Sequence, residues 1–197
     1  QAVTVLSSDD LDKKQISTFV DISAIAPGVN VAKNEGFKTV ITIRGVGYET
    51  NQNAIATPSV SYHLDGIYIA SPYSLQTEFM DLERIEVLRG PQGTLFGQNS
   101  TGGAINVITA SPSLEESSSY GDITVGDYSL IKTRVSFNRP LSETLAVRAS
   151  FITHKRDGFT DNLSTGQDLD DADSISARAR FLYQPSDTFR ANFTAQI

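Results

Sequence analysis

The sequence contains no cysteine in its 197 residues. This excludes thiol catalysis, zinc thiolate sites and disulfide bonds. It also lacks any run of 18 or more apolar residues, so no membrane-spanning helix is expected, although the strands of a membrane barrel would leave no such run. Basic residues are few: the sequence has 16 Lys and Arg but 23 Asp and Glu, which gives a net charge of −7. Nucleic-acid binding, which requires clustered basic residues, is therefore not expected.

The residue pattern changes near Pro112 and divides the sequence into two predicted domains, 1–112 and 113–197. In the first, Phe19, Ile22 and Ile25 lie at helical spacing after Ser and Asp caps, and the predicted helix stops at Pro27-Gly28. Short segments separated by Gly, Pro, Asn and Ser then predict four strands: 39–45, 60–69, 84–90 and 104–109. This half is predicted to be a compact α+β domain.

Strict alternation of apolar and polar residues marks the second half. Ile131, Val135 and Phe137 lie on one face of their segment, and Lys132 and Arg134 lie on the other. The same period of two recurs in four segments, 130–138, 145–153, 175–183 and 189–197, which predicts antiparallel strands.

Two interpretations of these strands remain open: a soluble sheet with one face buried in a core, and a membrane barrel. Segments of about nine residues suit a tilted strand that crosses a bilayer. Short turns at 139–144 and 184–188 against a long loop at 157–173 are typical of outer-membrane barrels. The long loop holds six aspartates, but its stretch "DLDDAD" lacks the glycine and the distal Glu of an EF-hand loop, so a solvated loop is predicted there.

A glycine-rich run, residues 89–111, resembles several enzyme motifs only in part. No Lys follows the glycines as a phosphate loop requires, and no helix is predicted after them as a dinucleotide fingerprint requires. Ser100 lacks the first glycine of a nucleophile elbow. No catalytic residue, cofactor or metal site is therefore expected. The run is predicted to shape turns between strands, through Gly90, Pro91, Gly93, Gly97, Gly102 and Gly103.

The segment 81–112, "DLERIEVLRGPQGTLFGQNSTGGAINVITASP", resembles the signature of the plug domain of TonB-dependent outer-membrane receptors. The segments "DISAIAPGVNV", "ITIRGVG" and "VSYHLDGIYI" agree with the same family in order. The resemblance implies an α+β plug domain inside a transmembrane antiparallel β-barrel of about 22 strands. Residues 113–197 would form about the first five strands, so the chain is expected to be part of a longer one.

The resemblance also implies a function. Members of the family are multi-pass proteins of the Gram-negative outer membrane and are not enzymes. They import a scarce solute when TonB, from the inner membrane, pulls on a segment before the plug. The solute is most often a ferric siderophore, and cobalamin, haem, oligosaccharides or aromatic compounds are alternatives. A soluble β-sandwich binding module is the rival from another class, and a hydrolase is a more distant one. The expected partners are TonB, a small molecule or metal chelate, and outer-membrane lipid, but not nucleic acid.

Residues with particular roles follow from the same motifs. Arg44 and Arg89 match the family arginines that latch the plug to barrel carboxylates, since Arg binds carboxylates in a fixed two-pronged geometry. The alternative is that both are ordinary solvated or locally paired arginines. The apical loops that contact substrate in the family correspond here to loops containing Tyr48, Thr50, Asn51, Gln52 and Tyr73.

Overall fold

The computed structural model describes residues 2–34, 38–47, 58–71, 75 and 78–197. The chain divides into two compact units, residues 1–110 and 111–197. Among the described residues, no helix is both long enough and apolar enough to cross a membrane.

The first unit combines short helices with two sheets. Its elements are β1 (Ala2–Ser7), α1 (Ser8–Lys13), α2 (Phe19–Ile25), β2 (Val29–Asn34), β3 (Lys38–Ile43), β4 (Val46–Gly47), β5 (Val60–Leu64), β6 (Ile67–Tyr68), β7 (Leu82–Arg89), α3 (Gly93–Phe96) and β8 (Gly103–Thr109). One sheet has the order β1-β7-β8-β5-β6, with β5 and β8 parallel, and the other has the order β2-β3-β4.

The core of this unit forms where α2 meets the larger sheet. The ring of Phe19 packs edge-on against Tyr62 and Phe79, with centroids 4.8 Å apart in both pairs. Ile22, Ile85 and Ile105 are fully buried in the same cluster. The predicted helical spacing at Phe19 and Ile22 is therefore confirmed as the buried face of α2.

Several features of this unit differ from the sequence prediction, and one is strand β2 (Val29–Asn34), which follows the predicted helix and was not predicted. Strand β1 and helix α1 precede the predicted helix, and each helix begins with its own capping box, Ser7 with Asp10 and Thr18 with Asp21. The predicted strand at 60–69 is a hairpin of β5 and β6. Within the glycine run lies the one-turn helix α3, which is too short for any hydrophobic periodicity to reveal it.

The second unit is an antiparallel sheet with the order β15-β14-β11-β10-β9. Its strands and the small ladder in its long loop are β9 (Ser118–Gly126), β10 (Leu130–Ser142), β11 (Leu145–Arg156), β12 (Thr160–Asp161), β13 (Asp168–Leu169), β14 (Ala172–Ser186) and β15 (Phe189–Gln196). In residues 111–197, all of them described, the main sheet thus has the expected five strands. Strands β10, β11 and β14 have 13, 12 and 15 residues, longer than the predicted segments because polar residues extend each apolar stretch.

The two faces of this sheet are inverted relative to those of a soluble protein. Phe137, Phe151 and Phe193 are 47%, 41% and 64% exposed, whereas Asn138 and Arg178 are only 3% and 6% exposed. A soluble β-sandwich would bury the apolar face against a second sheet. Within residues 111–197 the apolar face is instead exposed, as the lipid-facing side of a barrel strand would be.

The polar face also carries apolar side chains that the sequence pattern did not assign to it. Ala146, Ile152 and Leu182 are buried there, and Ala146 and Leu182 are ladder partners on β11 and β14. These residues interrupt the polar positions of their segments, so simple alternation gave no signal for their burial.

Candidate functional site

The turn between α2 and β2 forms the centre of the candidate site. Helix α2 ends at Ile25, and the chain reverses through Pro27 and Gly28, where Gly28 has φ +78°. This left-handed conformation strains any residue with a Cβ atom. The carbonyl oxygens of Pro27 and Gly28 each accept a hydrogen bond from a distant part of the chain.

Arg44 lies at the tip of the β3–β4 hairpin and contacts this turn. Arg44 and Gly45 have φ +54° and +77° between the ladder partners Ile43 and Val46, which is typical of a two-residue type I′ turn. The N–H of Arg44 donates to the Gly28 carbonyl at 2.6 Å. A Cβ atom on Gly28 would lie 3.5 Å from Cγ of Arg44, which is an ordinary van der Waals distance. The Arg44 side chain itself is exposed.

Arg89, the last residue of β7, reaches the same turn through its side chain. Its Nε donates to the Pro27 carbonyl at 3.0 Å, and its Nη1 donates to Oγ1 of Thr4 on β1 at 2.8 Å. Both predicted latch arginines therefore meet at Pro27-Gly28. We call the group Thr4, Pro27, Gly28, Arg44 and Arg89 the arginine corner.

The two guanidinium groups of the arginine corner carry donors of the kind that bind carboxylates. A guanidinium group has five N–H donors. In Arg89, Nε and Nη1 donate to neutral oxygen atoms of Pro27 and Thr4. With the carboxylates that the structure describes, neither Arg44 nor Arg89 forms an ion pair. Arg44 also holds a positive φ, which costs about 1–3 kcal/mol for a non-glycine residue and is common at functional positions.

The glycine run is a closed loop that begins directly after Arg89. The N–H of Gly90 donates to the Gly102 carbonyl at 3.1 Å, and the N–H of Gln92 donates to the Ser100 carbonyl at 2.9 Å. Gln92 and Ser100 are almost fully buried. Gly90 and Gly97 have φ +87° and +70°, whereas Gly93 begins α3 with open space around it.

At the other end of the loop, two glycines lie against backbone. A Cβ atom on Gly102 would lie 2.9 Å from Cγ1 of Val46, and one on Gly103 would overlap the Leu88 carbonyl oxygen. Pro91, which has no backbone N–H, lies between the two donors Gly90 and Gln92.

An aromatic cluster holds this loop on the β5–β6 hairpin. The ring of His63 packs edge-on against Phe96 of α3 at 4.9 Å, and Nδ2 of Asn99 donates to the Tyr68 hydroxyl at 2.8 Å. His63 is 5% exposed, and burial lowers its pKa, although a hydrogen bond with the Gly66 backbone opposes that shift. Sequence analysis did not single out this cluster, because its members are far apart in the chain.

A polar row crosses the same sheet through the ladder partners Glu86 and Asn106. Oε1 of Glu86 accepts from Nε of Arg84 at 2.8 Å, and Oε2 accepts from Nδ2 of Asn106 at 3.0 Å. Burial would raise the pKa of Glu86, but these hydrogen bonds outweigh it and lower the pKa. In the part of the chain that the structure describes, no three His, Asp or Glu residues are grouped as a metal site would need.

The predicted substrate-contact residues Tyr48, Thr50, Asn51, Gln52 and Tyr73 lie outside the described residues. Their role stays a prediction, as does the latch role of Arg44 and Arg89. No sequence signal indicated Thr4, because its contact with Arg89 depends on the pairing of β1 with β7.

Comparisons with known proteins agree with this architecture. The family model described as "TonB-dependent Receptor Plug Domain" matches residues 1–104. The pesticin receptor of Yersinia enterocolitica is 32% identical over 171 residues, which cover 84% of this chain and 24% of the relative. The ferric enterobactin receptor PirA of Pseudomonas aeruginosa is 26% identical over 200 residues, covering 89% of this chain and 26% of that receptor.

The crystal structure of the ferric yersiniabactin uptake receptor FyuA from Yersinia pestis is similar over both units. Its TM-score is 0.85 at 25% sequence identity, covering 99% of this chain and 31% of that one. The chain thus spans about a quarter of the length of the curated relatives named above.

Proposed function

Because this chain belongs to the TonB-dependent receptors of the outer membrane, we propose that its protein imports a ferric siderophore or another iron complex. The chain supplies the plug domain and the first strands of the barrel. Among its relatives, the names of the Pseudomonas and Yersinia receptors refer to ferric enterobactin and ferric yersiniabactin. These names support an iron complex as the substrate. A vitamin B12 transporter of Vibrio vulnificus is also 28% identical over 127 residues, which keeps cobalamin as the alternative that the uptake experiment must test.

The inverted sheet of the second unit is the observation that carries the membrane part of the proposal. On β14 the exposed apolar positions run from Ile175 to Tyr183. Eight residue steps correspond to about 27 Å along a strand and roughly 20 Å across the membrane at the usual tilt. This is close to the apolar band of about 25 Å that outer-membrane barrels present.

Aromatic pairs lie near both ends of these strands. Tyr183 packs against Phe189 beside the short β14–β15 turn, with ring centroids 6.3 Å apart. Tyr128 packs against Phe159 at the long-loop end, with centroids 5.9 Å apart. Outer-membrane barrels carry such aromatic residues at both membrane interfaces. The two pairs therefore support a strand orientation that crosses the bilayer.

In this proposal the arginine corner is the latch between plug and barrel. Arg89 is held on both sides by neutral acceptors, so its remaining N–H groups are fixed in direction before a carboxylate arrives. Polar pairing suits a contact that must open, because water can replace its hydrogen bonds. TonB would supply the opening force from the inner membrane by pulling on the segment before the plug, and residues Tyr48, Thr50, Asn51, Gln52 and Tyr73 would contact the substrate.

Uptake by a strain that lacks the gene tests this function. We expect iron-limited growth to slow and the uptake of one radiolabelled iron complex to fall at least tenfold. Reintroducing the complete gene serves as the control and should restore both. If only labelled cobalamin or oligosaccharide uptake is lost, the iron substrate is wrong. If no uptake is lost, the protein is not an importer of these solutes.

A further inference from the structure

The first half of β1 is weakly held. Among the described residues, strand β1 lies at the edge of its sheet and pairs only with β7. Val3 and Val5 are 47% and 54% exposed, and the buried side chain of the strand, Leu6, lies near its other end. An edge segment with few buried apolar contacts opens at lower free energy than the rest of a domain.

The second half of β1 is anchored by contrast. Ser7 forms the capping box of α1 with Asp10, and Leu11 of α1 is buried in the core. Local opening of β1 should therefore start at Ala2 and stop before Leu6.

Arg89 lies opposite the weak half. Its ladder partner is Ala2, and its Nη1 donates to Oγ1 of Thr4 at 2.8 Å. Ladder partners share a face, and so do residues two apart on one strand, so Thr4 and Arg89 lie on the same face of the sheet. When residues 2–5 leave β7, Arg89 loses Thr4 and keeps only the bond from Nε to the Pro27 carbonyl. A guanidinium group held through Nε alone can turn.

We infer that Thr4 is a positioning residue for Arg89, and that opening of residues 2–5 releases the arginine from the direction in which it binds a carboxylate. The inference rests on the proposed function, since it assigns the control of the same latch. It identifies the edge strand as the element that turns a displacement of the N-terminal segment into release of the arginine corner.

The first test needs no substrate and uses the purified complete receptor. Thr4→Val keeps the shape of the side chain but removes the acceptor, and Thr4→Ser keeps the acceptor. We expect Thr4→Val to speed amide hydrogen exchange of residues 2–5 about fivefold, while Thr4→Ser and the control Val3→Ala stay within twofold of wild type. In every variant, exchange of Leu11 should be unchanged. Exchange of residues 2–5 that is equal in Thr4→Val and wild type would overturn the positioning role.

Epistasis with Arg89 separates positioning from general stability. If Thr4 acts through Arg89, Thr4→Val should have no further effect on hydrogen exchange in an Arg89→Gln background. Effects that simply multiply would mean that Thr4 acts independently of Arg89, which contradicts the inference.

A reversible tether tests the release step. Because the sequence has no cysteine, the double substitution Val3→Cys and Leu88→Cys places a thiol pair on ladder partners. The oxidised receptor should bind its iron complex with unchanged affinity but import it at least tenfold more slowly, and reduction should restore import. The single Val3→Cys variant is the control. Full import by the oxidised pair would overturn the inference, whereas absence of import by wild type would instead refute the proposed function.

Discussion

The carboxylate of Asp65 accepts two hydrogen bonds from Thr109, one from its N–H at 2.8 Å and one from its hydroxyl at 2.7 Å. Asp65 has φ +50° in the β5–β6 turn, and Thr109 is the buried last residue of β8. The side chain therefore ties a hairpin tip to a strand 44 residues away. Since Asp tolerates the left-handed region, Asp65 both adopts the backbone conformation of the turn and accepts the bonds from Thr109.

Replacement of Asp65 should loosen the end of β8. Asp65→Ala removes both acceptors, and hydrogen bonds to a charged group contribute about 1.5–3 kcal/mol. We expect amide hydrogen exchange at Thr109 to accelerate by at least tenfold in the complete receptor. Asp65→Asn keeps the turn and one acceptor and should fall between Asp65→Ala and wild type. An unchanged Thr109 amide in Asp65→Ala would mean that the ladder alone protects it.

Two glycines of the same loop should differ sharply when replaced by alanine. A Cβ atom on Gly103 would overlap the Leu88 carbonyl oxygen and lie 2.8 Å from Cδ1 of Ile43, whereas a Cβ atom on Gly93 would meet nothing within 4 Å. Gly103→Ala should lower the yield of folded receptor by more than tenfold, measured by heat-modifiable mobility in gels. Gly93→Ala, the matched control, should give a normal yield, and a large loss in both variants would contradict the crowding argument.

The stability of the plug should depend on pH through His63. Burial lowers the pKa of His63 below its ordinary value of 6.5. Because the unfolded chain then binds the proton more readily, the stability contribution is complete above pH 6.5 and is lost as pH falls from there towards the folded-state pKa. We expect Tm to fall by a few degrees between about pH 7.5 and pH 5.5. His63→Phe should remove that part of the fall, and an identical slope in wild type and variant would show that other groups cause it.

Replacement of Arg44 by glycine should raise the stability of the receptor but impair uptake. Arg44→Gly relieves a positive φ and should raise the free energy of unfolding by about 1 kcal/mol, while it removes one latch cation. Arg44→Lys keeps the strain and the charge but loses the two-pronged geometry. We expect the glycine variant to have the higher Tm and both variants to show altered uptake kinetics. Wild-type uptake in Arg44→Gly would mean that Arg44 has no latch role.

A charge on the apolar face of the second unit should block assembly in the membrane. Lysine near the bilayer midplane costs about 2–4 kcal/mol in outer-membrane barrels. Phe151→Lys, on an exposed apolar position of β11, should therefore reduce the amount of receptor in outer-membrane fractions severalfold. Glu143→Lys in the β10–β11 turn is the control and should assemble normally. Equal assembly of both would place that face away from lipid.

A local period located most of the second unit and one helix of the first. Alternation located β10, β11, β14 and β15, and helical spacing located α2, because each pattern repeats within a few residues. Strands β3, β5, β7 and β8 were predicted from short apolar runs bounded by Gly, Pro, Asn and Ser. Strands β1 and β2 and helices α1 and α3 were missed, because four to six residues are too few for a period to repeat.

Of the arginine corner, only the two arginines could be predicted from the sequence. The resemblance of two motifs identified Arg44 and Arg89, but neither motif indicates that both reach one turn. Arg89 is 62 residues from Pro27 and 85 from Thr4. Contacts at such separations depend on how β1, β7 and α2 pack together, and no local pattern encodes that packing.

Gly103 is the ladder partner of Arg89, and the space it leaves is filled by the carbonyl group just before that arginine. Any heritable change that adds a side chain at 103 must push on the backbone that carries Arg89. A substitution at 103 would therefore displace Arg89 through the backbone rather than through its guanidinium group.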